Sequence, residues 1–153
     1  MKRLALVTIS LLGATVSSAS ATDLPKRADF VIKRPGNKAL FVHLELRTAK
    51  GRTSILGCQI GSREKRCTRK RTRVPLAKAH LAELKALWVT FANRDQCLLR
   101  RLPESWGQIW IYEGKVAFQG PMVPSRDHQS LGTKCFVHAK LGWWLLDRYD
   151  QRK

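Results

Sequence analysis

Four cysteines constrain this chain more tightly than any other feature. Cys58, Cys67, Cys97 and Cys135 form an even set, and in an oxidising compartment such a set closes into disulfides that sharply restrict the folds available. The N-terminus argues for that compartment. Lys2 and Arg3 precede an apolar stretch, Leu4 to Val16, broken only by Thr, Ser and Gly, and the small residues Ala19-Ser20-Ala21 follow. The pattern is that of a secretory signal peptide, residues 1–21, cleaved after Ala21. The apolar stretch is short for a membrane span and no later stretch reaches that length, so no transmembrane helix is expected after cleavage. No cysteine stands at its end to carry a lipid anchor. The short, small-residue-rich leader is of bacterial style, and the mature chain is expected to be exported, either periplasmic or secreted.

Of the three possible pairings, Cys58–Cys67 is expected as a staple on a local loop and Cys97–Cys135 as a clamp on two helix ends. The spacing argues against zinc, because there is no C-x-x-C and no histidine at ligand spacing from a cysteine. A catalytic thiol has no local signature around His43, His80, His128 or His138. The cysteines therefore read as structural, with no metal and no cofactor expected.

Hydrophobic patterning then divides the chain. Residues 22–38 are charged and end in the turn signal Pro35-Gly36-Asn37, with Phe30 and Ile32 offering at most a short edge strand. From Ala39 to Thr48 apolar and polar residues alternate. Leu40, Val42, Leu44 and Leu46 share one face; Phe41, His43, Glu45 and Arg47 share the other, as in a half-buried strand. Ala49-Lys50-Gly51-Arg52 makes a turn and Thr53 to Ile60 returns. Gly61 to Arg73 is a basic loop. After Val74-Pro75 a helix runs to about Ala92, with Ala77, Leu81, Leu84, Trp88 and Phe91 spaced for one face and Pro75 suited to its first turn.

Gln108 to Tyr112 and Lys115 to Gln119 read as a second hairpin turning at Glu113-Gly114. Thr133 is placed to cap a last helix bearing Phe136, Val137, Leu141, Trp144, Leu145 and Leu146. The expected fold is α+β: an antiparallel sheet from two β-hairpins with two helices packed on one face, in the order ββα-ββα, forming a single domain over residues 39–153.

Charge supplies the functional signal. The chain carries 29 lysines and arginines against 11 acidic residues, a formal charge of +18, and loss of Lys2 and Arg3 with the leader barely changes it. Arg63, Lys65, Arg66, Arg69, Lys70, Arg71 and Arg73 crowd into one short run offset only by Glu64. Charges this close lie within the ~8 Å screening length of physiological salt and repel one another unless a polyanion sits against them. The expected partner is a polyanion or an acidic protein surface: nucleic acid, envelope phosphates, an anionic membrane met peripherally, or an acidic polysaccharide. Trp110 and Tyr112 share one hairpin face and Trp143 and Trp144 lie about 100° apart on the last helix; aromatics in such patterns are mostly core, although exposed ones would stack on bases.

Catalysis finds less support. His43 and Glu45, with Arg47, project from one strand face and form the best acid–base cluster in the chain, and His128 near Asp127 is a second candidate. Alternating polar residues are what any half-solvated strand shows, and no catalytic motif frames them. A non-enzymatic binder is the leading expectation. A secreted nuclease or other hydrolase and a protein–protein module, such as an inhibitor or envelope accessory protein, are the alternatives.

Overall fold

The computed structural model describes residues 23–36, 40–61, 67, 70–92, 97, 101–124, 126 and 132–151; residues 1–21, expected to be a signal peptide, lie outside them. Six strands and two helices follow one another as β1 Arg27–Lys33, β2 Phe41–Ala49, β3 Arg52–Ile60, β4 Thr72–Pro75, α1 Lys78–Ala92, β5 Gly107–Glu113, β6 Val116–Met122 and α2 Gly132–Asp150. The strands form one antiparallel sheet in the order β4-β3-β2-β1-β5-β6. The class is α+β.

Period-two alternation decides which face each side chain takes. Phe30 and Ile32 of β1, Leu44 and Leu46 of β2, Ile55 of β3 and Ile109 and Ile111 of β5 are fully buried in a single cluster. Leu84, Trp88 and Phe91 of α1 and Leu141, Leu145 and Leu146 of α2 join the same cluster, so both helices cover this face of the sheet. Edge-to-face contacts of Phe30 with Trp88 at 6.4 Å and of Phe91 with Phe118 at 5.6 Å tie strands to helix α1. Gly120 of β6 lets α2 approach, because a Cβ there would run into the buried His138 ring.

The structure corrects the expected order in three places. The segment expected to supply an edge strand supplies β1, a central strand with β2 on one side and β5 on the other. Its alternation of Ala28, Phe30 and Ile32 with Asp29, Val31 and Lys33 suits that position, since both flanks bury it. Second, Thr72–Pro75 is an edge strand on β3, and Pro75 ends it instead of opening the helix, which starts at Lys78. Proline is tolerated there because it occupies the sheet edge. Third, Glu113 pairs with Val116, so the second hairpin turns at Gly114-Lys115, one residue later than expected. Gly114 stands in the first central position with φ +61°, as a tight hairpin turn requires. The first hairpin turns at Lys50-Gly51, with φ +51° and +71°, as its sequence suggests.

Both disulfides pair as expected, Cys58 with Cys67 and Cys97 with Cys135. In the chain-entropy picture the closure between Cys97 and Cys135, 38 residues apart, is the stronger constraint on the unfolded chain, about 4 kcal/mol against about 2.5 kcal/mol for the nine-residue staple. Among the described residues no helix is long and apolar enough to cross a membrane.

Candidate functional site

The helix-free face of the sheet is polar at its centre. Register brings Asp29 of β1 beside Glu45 of β2, and Glu45 beside Leu56 of β3, which in turn faces Arg73 of β4. His43 lies one pair further along, between Val31 and Cys58. Around His43 the face becomes apolar from β3 across to β5, with Val31, Ile60 and Trp110 buried together and Phe41 and Tyr112 packed against them.

Glu45 is the pivot. Its side chain is fully buried, and three guanidinium groups converge on its carboxylate: Arg27 Nε at 3.3 Å from Oε1, Arg47 Nε on the same oxygen, and Arg71 Nη1 on Oε2. A buried carboxylate stays ionised only with such partners. The hydrogen bond and the charge of Glu45 raise the Arg47 pKa above its ordinary value, more than burial lowers it. One carboxylate against three cations leaves the cluster with surplus positive charge, only part of which Asp29 meets through Arg27 at 3.5 Å.

That surplus continues into a cleft of about 650 Å³ at the tip of the β2–β3 hairpin and beside β4, lined by Arg47, Ala49, Lys50, Arg52, Thr53, Ser54, Arg73 and Pro75. Four of the lining residues are cationic and none is acidic. Each of the four is exposed, so they offer hydrogen-bond donors to a ligand while repelling one another across the cleft. The β2–β3 turn and its flank supply Lys50 and Arg52 to this lining, and the pairing of β4 with β3 supplies Arg73.

The basic run is thus divided. Arg73 lines the cleft, Lys70 is exposed just ahead of β4, and Arg71 is committed to Glu45. Arg63, Lys65, Arg66 and Arg69 lie outside the described residues, as does His128. Lys50, Arg52 and Arg47 are additions that the run did not signal. They belong to a turn and its flanks, and only the packing of β4 against β3 unites them with Arg73.

The proposed acid–base cluster does not assemble as expected. His43 and Glu45 do share a strand face, but they are 1% and 0% exposed, so this face is not half-solvated at their positions. Glu45 bonds to arginines, whereas His43 bonds to Asp29 Oδ1 through Nε2 at 3.0 Å and meets Cys67 Sγ through Nδ1 at 3.3 Å. The covering of arginines and the Cys58–Cys67 staple explains the burial. Asp29 and Arg27 were missed because they fall in the charged N-terminal segment; the alternation through Ala28, Phe30 and Ile32 was the available signal.

The other candidates take packing positions. Arg148 donates to His80 Nε2 at 2.8 Å, and His138 is buried against Phe91. Trp110 is buried and stacks on Phe41 at 6.3 Å. Trp143 donates to the Val123 carbonyl and Trp144 to Glu83. No protein-family model matches this chain, and no curated protein matches it.

Proposed function

We propose that the protein is an exported, non-enzymatic cationic domain that binds a polyanionic or acidic partner through the cleft between the β2–β3 turn and β4. One observation carries this reading: Lys50, Arg52, Arg73 and Arg47 converge on a cleft with no acidic lining residue. Repulsion among four exposed cations is relieved by a bound polyanion, whose phosphate, sulfate or carboxylate groups take the place of counterions. Lys70 and the basic residues leading to it, Arg63, Lys65, Arg66 and Arg69, extend the contact. Arg47 and Arg71 contribute less, because Glu45 holds both guanidiniums. The two disulfides support an oxidising location for the mature chain.

The hydrolase alternative draws no support from His43 and Glu45. A general base must come within hydrogen-bond reach of its substrate, and both groups are sealed beneath neighbouring side chains.

The test is the affinity of the oxidised protein for a labelled duplex oligonucleotide and for heparin across a salt series. Three phosphate contacts, from Lys50, Arg52 and Arg73, imply a slope of log K against log salt near −2.7 on duplex DNA. Replacing Lys50, Arg52 and Arg73 by Gln is expected to flatten it by about 0.9 per residue. An unchanged slope overturns the assignment. Saturable binding to one acidic protein that heparin fails to displace would instead identify a protein partner.

A further inference from the structure

His43 stands between a carboxylate and a disulfide sulfur. Asp29 at Nε2 favours a proton on that nitrogen and turns the lone pair of Nδ1 toward Cys67 Sγ, 3.3 Å away. A disulfide sulfur has no hydrogen to offer this lone pair, whereas a thiol has one. The geometry therefore suits reduced Cys67, whose proton would pass to Nδ1 and leave a thiolate–imidazolium pair backed by Asp29. The Cys58 and Cys67 sulfurs and a ring nitrogen of His43 all lie within 4.8 Å of one another, so the imidazole that touches Cys67 is also close to the Cys58 sulfur. The two cysteines differ in access: Cys58 is buried at the end of β3, while Cys67 is partly exposed.

We propose that Cys58 and Cys67 are a redox-active pair that exchanges with low-molecular-weight thiols and their disulfides, Cys67 being the nucleophilic cysteine and Cys58 the resolving one. In the reducing direction the thiolate of a first thiol attacks Cys67 Sγ. A mixed disulfide forms at Cys67, the Cys58–Cys67 bond breaks, and its electron pair leaves on the Cys58 sulfur. The proton of that first thiol reaches Cys58 through His43. A second thiolate attacks the thiol-derived sulfur of the mixed disulfide, releasing the oxidised small molecule and leaving Cys67 as a thiolate. The second proton stays on His43, facing it. Two thiols lose two electrons and the protein disulfide gains them; the oxidising direction is the reverse.

Stabilising the Cys67 thiolate shifts the equilibrium toward the dithiol and makes the disulfide a stronger oxidant. Among the described residues, the charged and titratable groups around the pair are Asp29 and Arg27 of β1, Glu45 of β2, Tyr112 of β5 and Arg71 ahead of β4. The guanidiniums of Arg27 and Arg71 are engaged by carboxylates, and among the described residues His43 is the cation-forming group in contact with the sulfur. It acts directly, and Asp29 is a positioning residue.

The test equilibrates the oxidised protein in glutathione buffers of graded redox ratio, traps it by alkylation, and follows each cysteine pair by peptide mass. Cys58–Cys67 is expected to open at an equilibrium constant at least about tenfold more favourable than Cys97–Cys135, equivalent to about 30 mV, with the glutathione adduct on Cys67. In the singly reduced protein, alkylation of Cys67 is expected to follow a thiolate titrating below the free-thiol value of about 8.5. Asp29→Asn should move that profile upward. His43→Gln should shift the redox equilibrium at least about tenfold toward the disulfide. If His43→Gln does not fold, the wild-type profile and Asp29→Asn decide the matter. A Cys67 with an ordinary thiol profile, or two disulfides that open together, overturns the proposal.

Discussion

Replacing Glu45 by Gln keeps the shape of the side chain and removes the one charge on which three guanidiniums converge. The amide oxygen can still accept from one arginine, but the amide nitrogen then confronts another donor. Two unit charges 4 Å apart interact by about 4 kcal/mol at the effective dielectric of a protein surface, so three such attractions are large in gross terms. The desolvation of a fully buried carboxylate offsets most of that gain. Removing one partner of a buried pair costs about 3–5 kcal/mol. Arg27, Arg47 and Arg71 are 61%, 48% and 35% exposed and recover hydration when released, which lowers the expected cost to about 2–3 kcal/mol. At this chain length that corresponds to a fall in Tm of about 6–12 °C. Urea unfolding of the oxidised protein, followed by tryptophan fluorescence, measures the difference. Arg47→Ala alone should cost far less than Glu45→Gln, because two guanidiniums remain and the Arg47 side chain is half exposed. A Glu45→Gln protein within about 0.5 kcal/mol of wild type, the range of an ordinary surface substitution, would refute the claim that this carboxylate organises the face.

Further consequences follow from the packing and from one titrating pair. Gly120→Ala should destabilise by about 1–3 kcal/mol in the same unfolding assay, since the added methyl meets the buried His138 ring and α2 must shift. Asp147 is held below its ordinary pKa by the hydrogen bonds from Arg126, with burial opposing. A depressed carboxylate contributes stability above its unfolded pKa and loses it as pH falls through the folded value. Arg126→Ala should therefore cost up to about 1 kcal/mol at neutral pH, and the difference should narrow in strong acid to what the stacking of Arg126 on Trp143 contributes; a difference that does not narrow would contradict the pairing.

The parts of the fold legible in the sequence are those written in local patterns. The β2–β3 hairpin follows from the alternation of Val42, Leu44 and Leu46 and from Lys50-Gly51, and α1 from Leu84, Trp88 and Phe91 on one face. The central place of β1 was hidden because its neighbour β5 is remote in sequence and its flanks, Lys26, Arg27 and Pro35, look like a charged tail. β4 was hidden by Arg73 and Pro75, residues that suit a strand only at a sheet edge. Glu45 reads as a solvent-facing charge, because its burial depends on Arg71, 26 positions away. The basic run pointed to Arg73, but Lys50 and Arg52 join it only through tertiary packing.

The most direct measurement of the central claim separates the cleft from bulk charge. Lys50→Glu with Arg52→Glu reverses two cleft residues; Lys85→Glu with Lys115→Glu changes the net charge equally at exposed positions away from it. Affinity for heparin and for duplex DNA at physiological salt is compared between the two. If the cleft binds the polyanion, the first pair loses at least about tenfold, or about 1.4 kcal/mol, and the second loses far less. Equal losses in both would mean that net charge alone attracts the ligand, and the cleft would cease to be a site.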